Sequence, residues 1–246
     1  MELTLISLNI QQDLHHHLAI PFLQSKKPDI VCLQEVFKED LHLYEEALGM
    51  KSFYKPECFI ESLVTGDGKD KLFGVAILTN KEAVFDFSYI VGDEEHIPIF
   101  DFKNSLTERN IINTVLIWVD IQNSNGKSMR VATTHFTWTP DGSSTKYQLE
   151  DMQKLINVLD TKLGHFILTG DLNAPRGSES FSKLAEKYID NIPEKYDSSL
   201  DPNLHRVRGL KHMVDGLFST KEYTISNVSL EEGASDHKAV IATISL

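Results

Sequence analysis

The chain has 246 residues, of which 41% are hydrophobic, and a formal net charge of −12. It is long enough to bury a sizeable core and suits one large domain spanning 1–246. The acidity excludes the broad basic footprint of a non-specific nucleic-acid binder; it leaves room for a nuclease with a local basic rim and bound divalent cations. Cys32 and Cys58 are the two cysteines. Cys32 lies in the apolar run Asp29-Ile-Val-Cys-Leu-Gln34 and reads as a buried, inert thiol. No spacing requires a disulfide. No apolar run approaches a membrane span and no signal peptide stands out, so a soluble, cytoplasmic protein without membrane insertion is expected.

In chain order, Leu3 to Asn9 reads as a first strand. Residues 13–26 read as a helix with Leu14, Leu18, Phe22 and Leu23 on the core side and a kink at Pro21. The run His15-His16-His17 points three ways on a helix, so it is expected to be a solvated face and not a metal site. Asp29 to Gln34 is a buried strand finishing in Glu35. Residues 39–49 form a short helix stopped by Gly49. Strands follow at 54–64 and 71–78, joined by the hairpin signal Thr65-Gly-Asp-Gly68. Further strands are expected at 82–91, 109–121 and 129–135, with a polar loop over 92–107 and a turn at Asn123-Ser-Asn-Gly126. Ser143 or Ser144 caps a helix reaching about Leu163, with Tyr147, Met152, Leu155, Ile156 and Leu159 inward. A short buried strand at 166–168, a helix at 178–188, a loop over 190–211 and strands near 213–219, 223–230 and 238–245 complete the chain.

Roughly ten strands with hairpin links and four interspersed helices exclude a wholly parallel sheet. They fit an α+β fold: a four-layer α/β/β/α sandwich of two mostly antiparallel sheets with helices on the outer faces.

Chemistry concentrates in Ile167-Leu-Thr-Gly-Asp-Leu-Asn-Ala-Pro175. Gly170 lets the backbone approach a neighbour closely. Asp171 and Asn173, two apart on an extended chain, share one face. A carboxylate can accept a proton or hold a hard cation, and an amide can donate to a phosphate oxygen or a water. An ordinary Asx-type turn is the plain alternative. Asn9, Glu35, His135, Asp215, Asp236 and His237 likewise sit at strand ends, and ends of adjacent strands gather at one edge. Four carboxylates converging in one cleft repel each other and call for a cation.

The ordered set Ser7-Leu-Asn-Ile10, Leu33-Gln-Glu-Val36, Thr134-His135, Gly170-Asp-Leu-Asn173, Val214-Asp-Gly-Leu-Phe218 and Ser235-Asp-His237 resembles the motifs of the endonuclease/exonuclease/phosphatase superfamily. The resemblance runs from residue 7 to 237. It is specific for the superfamily and weak for any one member. It implies that Glu35, helped by Asn9, ligates Mg²⁺ (Mn²⁺ being a possible substitute), with Asp236 at the metal directly or through water. It implies that Asp171 and Asn173 position the attacking water and the phosphate, and that His237 pairs with Asp215. His135 occupies a position that is His in deoxyribonuclease-like and sphingomyelinase-like members and Tyr in apurinic endonucleases, which leans away from the apurinic branch.

Arg109 can reach a phosphate bidentately or form a surface ion pair. Trp138 can stack on a base or simply pack. Arg206 and Arg208, with His205 and Lys211, form the one dense basic patch in an acidic chain and precede Asp215; the alternative is a solvated loop. The leading expectation is therefore a Mg²⁺-dependent phosphodiesterase whose substrate is nucleic acid or a nucleotide-linked diester, with no obligate protein partner evident. A sphingomyelinase-like or inositol-phosphatase-like esterase and a non-catalytic binding module are the alternatives.

Overall fold

The computed structural model describes residues 2–61, 69–100, 112–122 and 128–246. One six-stranded sheet holds β1 (Glu2–Asn9), β2 (Ile30–Phe37), β3 (Lys51–Ile60), β4 (Lys71–Thr79), β11 (Thr224–Glu231) and β12 (Ala239–Ser245), in the order β11-β12-β1-β2-β4-β3. The other holds β5 (Ala83–Val91), β6 (Thr114–Gln122), β7 (Ser128–His135), β8 (Ile167–Asp171), β9 (Ile189–Asp190) and β10 (Asp215–Ser219), in the order β5-β6-β7-β8-β10-β9. The helices are α1 (His16–Lys26), α2 (Leu41–Leu48), α3 (Lys146–Val158) and α4 (Glu179–Ala185).

Side chains alternate across a strand, so a strand covered on both faces must be apolar throughout. In β2, Ile30 and Cys32 enter the core between the sheets, where they join Val115, Ile117, Val131, Ile167 and Leu217. Val31 and Leu33 face the opposite way and pack with Ala19 and Leu23 of α1 and Leu41 and Tyr44 of α2. On the far side, Leu116, Ala132, Leu168 and Phe218 pack with Met152, Leu155 and Ile156 of α3 and Phe181 and Leu184 of α4. The result is the expected four-layer sandwich.

Each sheet is antiparallel except for one central pair, β1 with β2 and β7 with β8. Across the core, β1 faces β8 and β2 faces β7. The carboxyl ends of these four strands therefore open at one place, and they deliver Asn9, Glu35, His135 and Asp171. Gly170 explains how β8 fits there. At φ +131 its position has no room for a Cβ, which would stand 2.1 Å from Thr134 O on β7.

Several local expectations change. The first helix starts at His16, and Leu14 is 59% exposed because it precedes the helix and its core stripe. His16 is not on a solvated face; it packs edge-on against Tyr44 beside Asp40, and burial draws its pKa down. The cap of α3 is Thr145, whose side chain accepts from Gln148 N–H, not Ser143 or Ser144. The strand expected from 109 begins at Thr114, and the 54–64 strand is shifted to Lys51–Ile60. The turns at 65–68 and 123–126 lie outside the described residues. Cys32 and Cys58 are both free and buried, and burial pushes both thiol pKa values up.

Candidate active site

Glu35 is placed by a distortion of its strand. The β2–β4 register shifts between Leu33 and Val36, and Glu35 adopts φ +56. Such a bulge re-aims a side chain out of the pleat. Beneath it, fully buried Gln34 donates to Ser7 Oγ at 3.2 Å and to Thr133 Oγ1 at 2.9 Å, tying the two sheets together under the cleft.

Glu35, His135 and Asp171 each offer one ligand atom, all within 4.8 Å of one another. Asn9 stands between the acids. Its Nδ2 donates to Glu35 Oε1 at 3.0 Å and to Asp171 Oδ2 at 3.1 Å, while its Oδ1 accepts from Gln11 N–H. As placed, Asn9 holds the two carboxylates together and presents nitrogen to the centre of the cleft. Asp236 is buried, accepts from Ser235 Oγ at 3.2 Å, and lies outside the three-residue group.

Asp171 and Asn173 do come together, but not by sharing a strand face. The strand ends at Asp171, whose Oδ1 accepts from Asn173 N–H at 2.8 Å, and Asn173 turns into φ +47. The Asx-type turn and the functional pairing are one structure. Asn173 Nδ2 donates to Phe136 O at 2.8 Å, which leaves its second amide hydrogen for another acceptor.

His237 approaches the site from the turn before β12, and its Nδ1 lies 2.7 Å from Asp215 Oδ2. Ser235 and Asp236 are still in a bend, so the adjacent pair is free of the strand's alternation. Burial by itself lowers the His237 pKa, but the Asp215 carboxylate, helped by Asp171 and Asp236, holds it well above the ordinary histidine range. Burial pushes the carboxyls of Asp171 and Asp236 up.

Sequence reasoning missed Glu57. Its Oε2 is 3.2 Å from His135 Nδ1, and it is fully buried. Burial raises its pKa, and the pairing raises that of His135 against the opposing effect of burial. Its other oxygen, Oε1, has no hydrogen-bond partner among the described residues. The available signal was Pro56: proline inside a strand marks an edge or a bulge. Indeed β3 is an edge strand, and its register with β4 shifts between Pro56 and Cys58.

Of the expected substrate contacts, Trp138 is 42% exposed on the loop after β7. Arg206 and Arg208 are exposed, and Arg208 Nη1 donates to Pro202 O at 3.0 Å. Their loop runs beside Asp236, since Asp201 N–H donates to Asp236 O at 2.8 Å and His205 N–H to Asp201 O at 3.1 Å. Lys211 is drawn away into an ion pair with Asp197. Arg109 lies outside the described residues.

Fold and cleft together define a phosphoesterase-type architecture. The chain belongs to the endonuclease/exonuclease/phosphatase family, whose profile matches residues 6–237. It is similar to a Bacteroides vulgatus endonuclease/exonuclease/phosphatase at 14% identity and TM-score 0.71, covering 100% of this chain and 99% of that one. The human Nocturnin catalytic domain with a bound sulfate anion gives 17% identity and TM-score 0.70, covering 99% of this chain and 93% of that one. TDP2 from D. rerio, complexed with a single-strand DNA product, gives 18% identity and TM-score 0.65, covering 100% and 99%. No curated protein sequence matches this chain. Among the described residues, no helix is long and apolar enough to cross a membrane.

Proposed function

We propose that the protein is a Mg²⁺-dependent phosphodiesterase, with Mn²⁺ as a possible substitute, acting on nucleic acid or a nucleotide-linked diester. The observation that carries this reading is the convergence of Glu35, His135 and Asp171 within 4.8 Å, beside the His237–Asp215 pair at 2.7 Å. The donor set suits a hard divalent cation. Oxygen donors predominate, and burial raises the carboxyl pKa values of Asp171 and Asp236, a cost that a bound cation would offset. Glu35 would be the principal ligand, with Asp236 acting directly or through water, while Asn9 keeps Glu35 and Asp171 at their spacing. A bound cation neutralises the phosphate and favours ionisation of the attacking water.

The remaining groups divide the work. His237, oriented and held cationic by Asp215, donates to a phosphate oxygen. Asn173 offers its free amide hydrogen to the same group. Asp171, within reach of the cleft centre, takes the proton from water. His135, steadied by Glu57, faces the developing charge. Trp138 and the exposed Arg206 and Arg208 border the cleft and meet the rest of a polyanionic substrate; Arg109 is proposed with them on its sequence alone. The two sheets share one core, which supports a single domain over 1–246.

The test is hydrolysis of four substrates with Mg²⁺ and with EDTA: an oligonucleotide, a 5′-tyrosyl DNA, sphingomyelin and inositol phosphates. Mg²⁺-dependent cleavage of either of the first two, lost in His237→Ala, supports the reading. Turnover confined to sphingomyelin or inositol phosphates reassigns the substrate, and no turnover on any makes the chain a binding module.

A further inference from the structure

Gln148 is fully buried in the first turn of α3, and the chemistry above does not use it. It stands three residues after the Thr145 cap, whose hydroxyl accepts from Gln148 N–H at 3.3 Å. A glutamine there ordinarily folds back to the capping residue's own N–H and closes a reciprocal box. This one is turned toward the cleft. Its Nε2 donates to Thr137 O at 2.8 Å and to Asn173 O at 3.1 Å, and its Oε1 accepts from Ser180 Oγ at 2.7 Å. Both amide hydrogens and one oxygen lone pair are engaged.

The three partners belong to separate segments. Thr137 lies two residues beyond His135, Asn173 two beyond Asp171, and Ser180 in α4, where Ser144 Oγ accepts its N–H at 2.9 Å. Two more bonds join the same loops: Phe136 N–H to Asp171 O, and Asn173 Nδ2 to Phe136 O, each 2.8 Å. Asn173 sits at φ +47, where a non-glycine residue persists only if its surroundings hold it. The Gln148 bond to Asn173 O is one of the few constraints that act on that residue's backbone from outside the turn.

We infer that Gln148 is a positioning residue: it clamps the loop after β7 to the turn after β8, and so aims the Asn173 carboxamide at the substrate phosphate. Ser180 anchors the clamp from the far side. The kinetic consequence rests on the phosphodiesterase reading; the positioning itself does not.

The experiment uses Gln148→Met, which keeps the volume and removes both donors. The first readout is the Asn173 side-chain amide signal in a nitrogen-15 NMR spectrum, assigned through Asn173→Ala. It should shift in Gln148→Met toward the position of an exposed amide, whether or not any substrate is turned over. The second is hydrolysis of bis(p-nitrophenyl) phosphate with Mg²⁺. There kcat should fall about 10-fold with KM nearly unchanged, the scale of a lost buried hydrogen bond acting through geometry. Beside Asn173→Ala the loss should vanish, because the group that Gln148 aims is gone. An unmoved Asn173 signal, or losses that multiply in the double variant, would overturn the inference and leave Gln148 a packing residue. Should Gln148→Met fail to fold, Ser180→Ala loosens the anchor alone; a smaller kcat loss that again vanishes beside Asn173→Ala supports the inference, and one that multiplies overturns it.

Discussion

His237 Nδ1 and Asp215 Oδ2 meet at 2.7 Å, and both residues are buried. Removing one member of a buried pair leaves the other charge uncompensated, so single variants lose stability as well as chemistry. His237→Ala is expected to lower kcat by a factor on the order of 10²–10³, the scale of a lost donor to transition-state charge, while leaving Mg²⁺ binding nearly intact. Asp215→Asn should lower kcat too. The double variant should be clearly less than multiplicative, because the two act as one unit. Steady-state kinetics on the four proteins decide it; losses that simply multiply would show that the residues work separately. At this scale the sequence was informative where a residue closes an apolar run. Asn9, His135 and Asp171 end strands, Asp215 begins one, and Glu35 closes the apolar run of β2 at a bulge two residues before the strand's end. Glu57 and Gln148 were invisible for the opposite reason. Glu57 is mid-strand, turned inward by a bulge, and Gln148 sits on a helix where an exposed polar side chain is the ordinary reading. Their roles depend on partners roughly 80 and 25 residues away, contacts that no local pattern announces.

Two elements carry predictions of their own. Asp29 precedes β2 and ties it to β1 and to the end of β4. Its carboxylate accepts from Thr4 N–H at 2.9 Å and pairs with Lys81 at 2.8 Å. Burial works to raise its pKa, but Lys81 and the Thr4 bond outweigh it, and the carboxyl titrates below its ordinary value of 3.8. A depressed folded pKa means stability that is full above the unfolded value and drains as pH falls through the folded one. Asp29→Asn should therefore cost on the order of 1 kcal/mol at neutral pH, discounted for partial exposure, and the gap to wild type should narrow as pH falls below the ordinary carboxyl value. Urea unfolding at pH 7 and pH 2.5 checks this; a pH-independent gap would assign the effect to something other than the charge. The second element is the 201–208 loop. Replacing Arg206 and Arg208 with Ala should raise KM for a polyanionic substrate, with the salt dependence of KM reduced in the variant because screening has less charge to act on. Kinetics across a salt series that match wild type would make the patch a solvated loop. Elements were legible where period and punctuation agreed, as in α2 with its Gly49 stop. They are ambiguous where the signal is only polar: Ser143, Ser144 and Thr145 are equally suitable caps by residue type, and only the structure selects Thr145.

Across the whole molecule, the two sheets place their parallel pairs back to back. The cleft then follows from topology, since four strand ends open at one rim and Gln34 bolts the sheets beneath it. The hairpin-rich pattern made the sandwich legible, and the ordered motifs made the rim legible. What the linear sequence could not convey was the distance between carboxylates, because Glu35 and Asp171 belong to different sheets. The central claim is that this rim binds a divalent cation through Glu35. Calorimetric titration of Mg²⁺ into wild type and Glu35→Gln, with matched thermal unfolding of the apo-proteins, tests it most directly. The account predicts affinity weakened about 10-fold or more by the substitution while the apo-protein unfolds at nearly the same temperature. Equal Mg²⁺ affinity in the two folded proteins would contradict it.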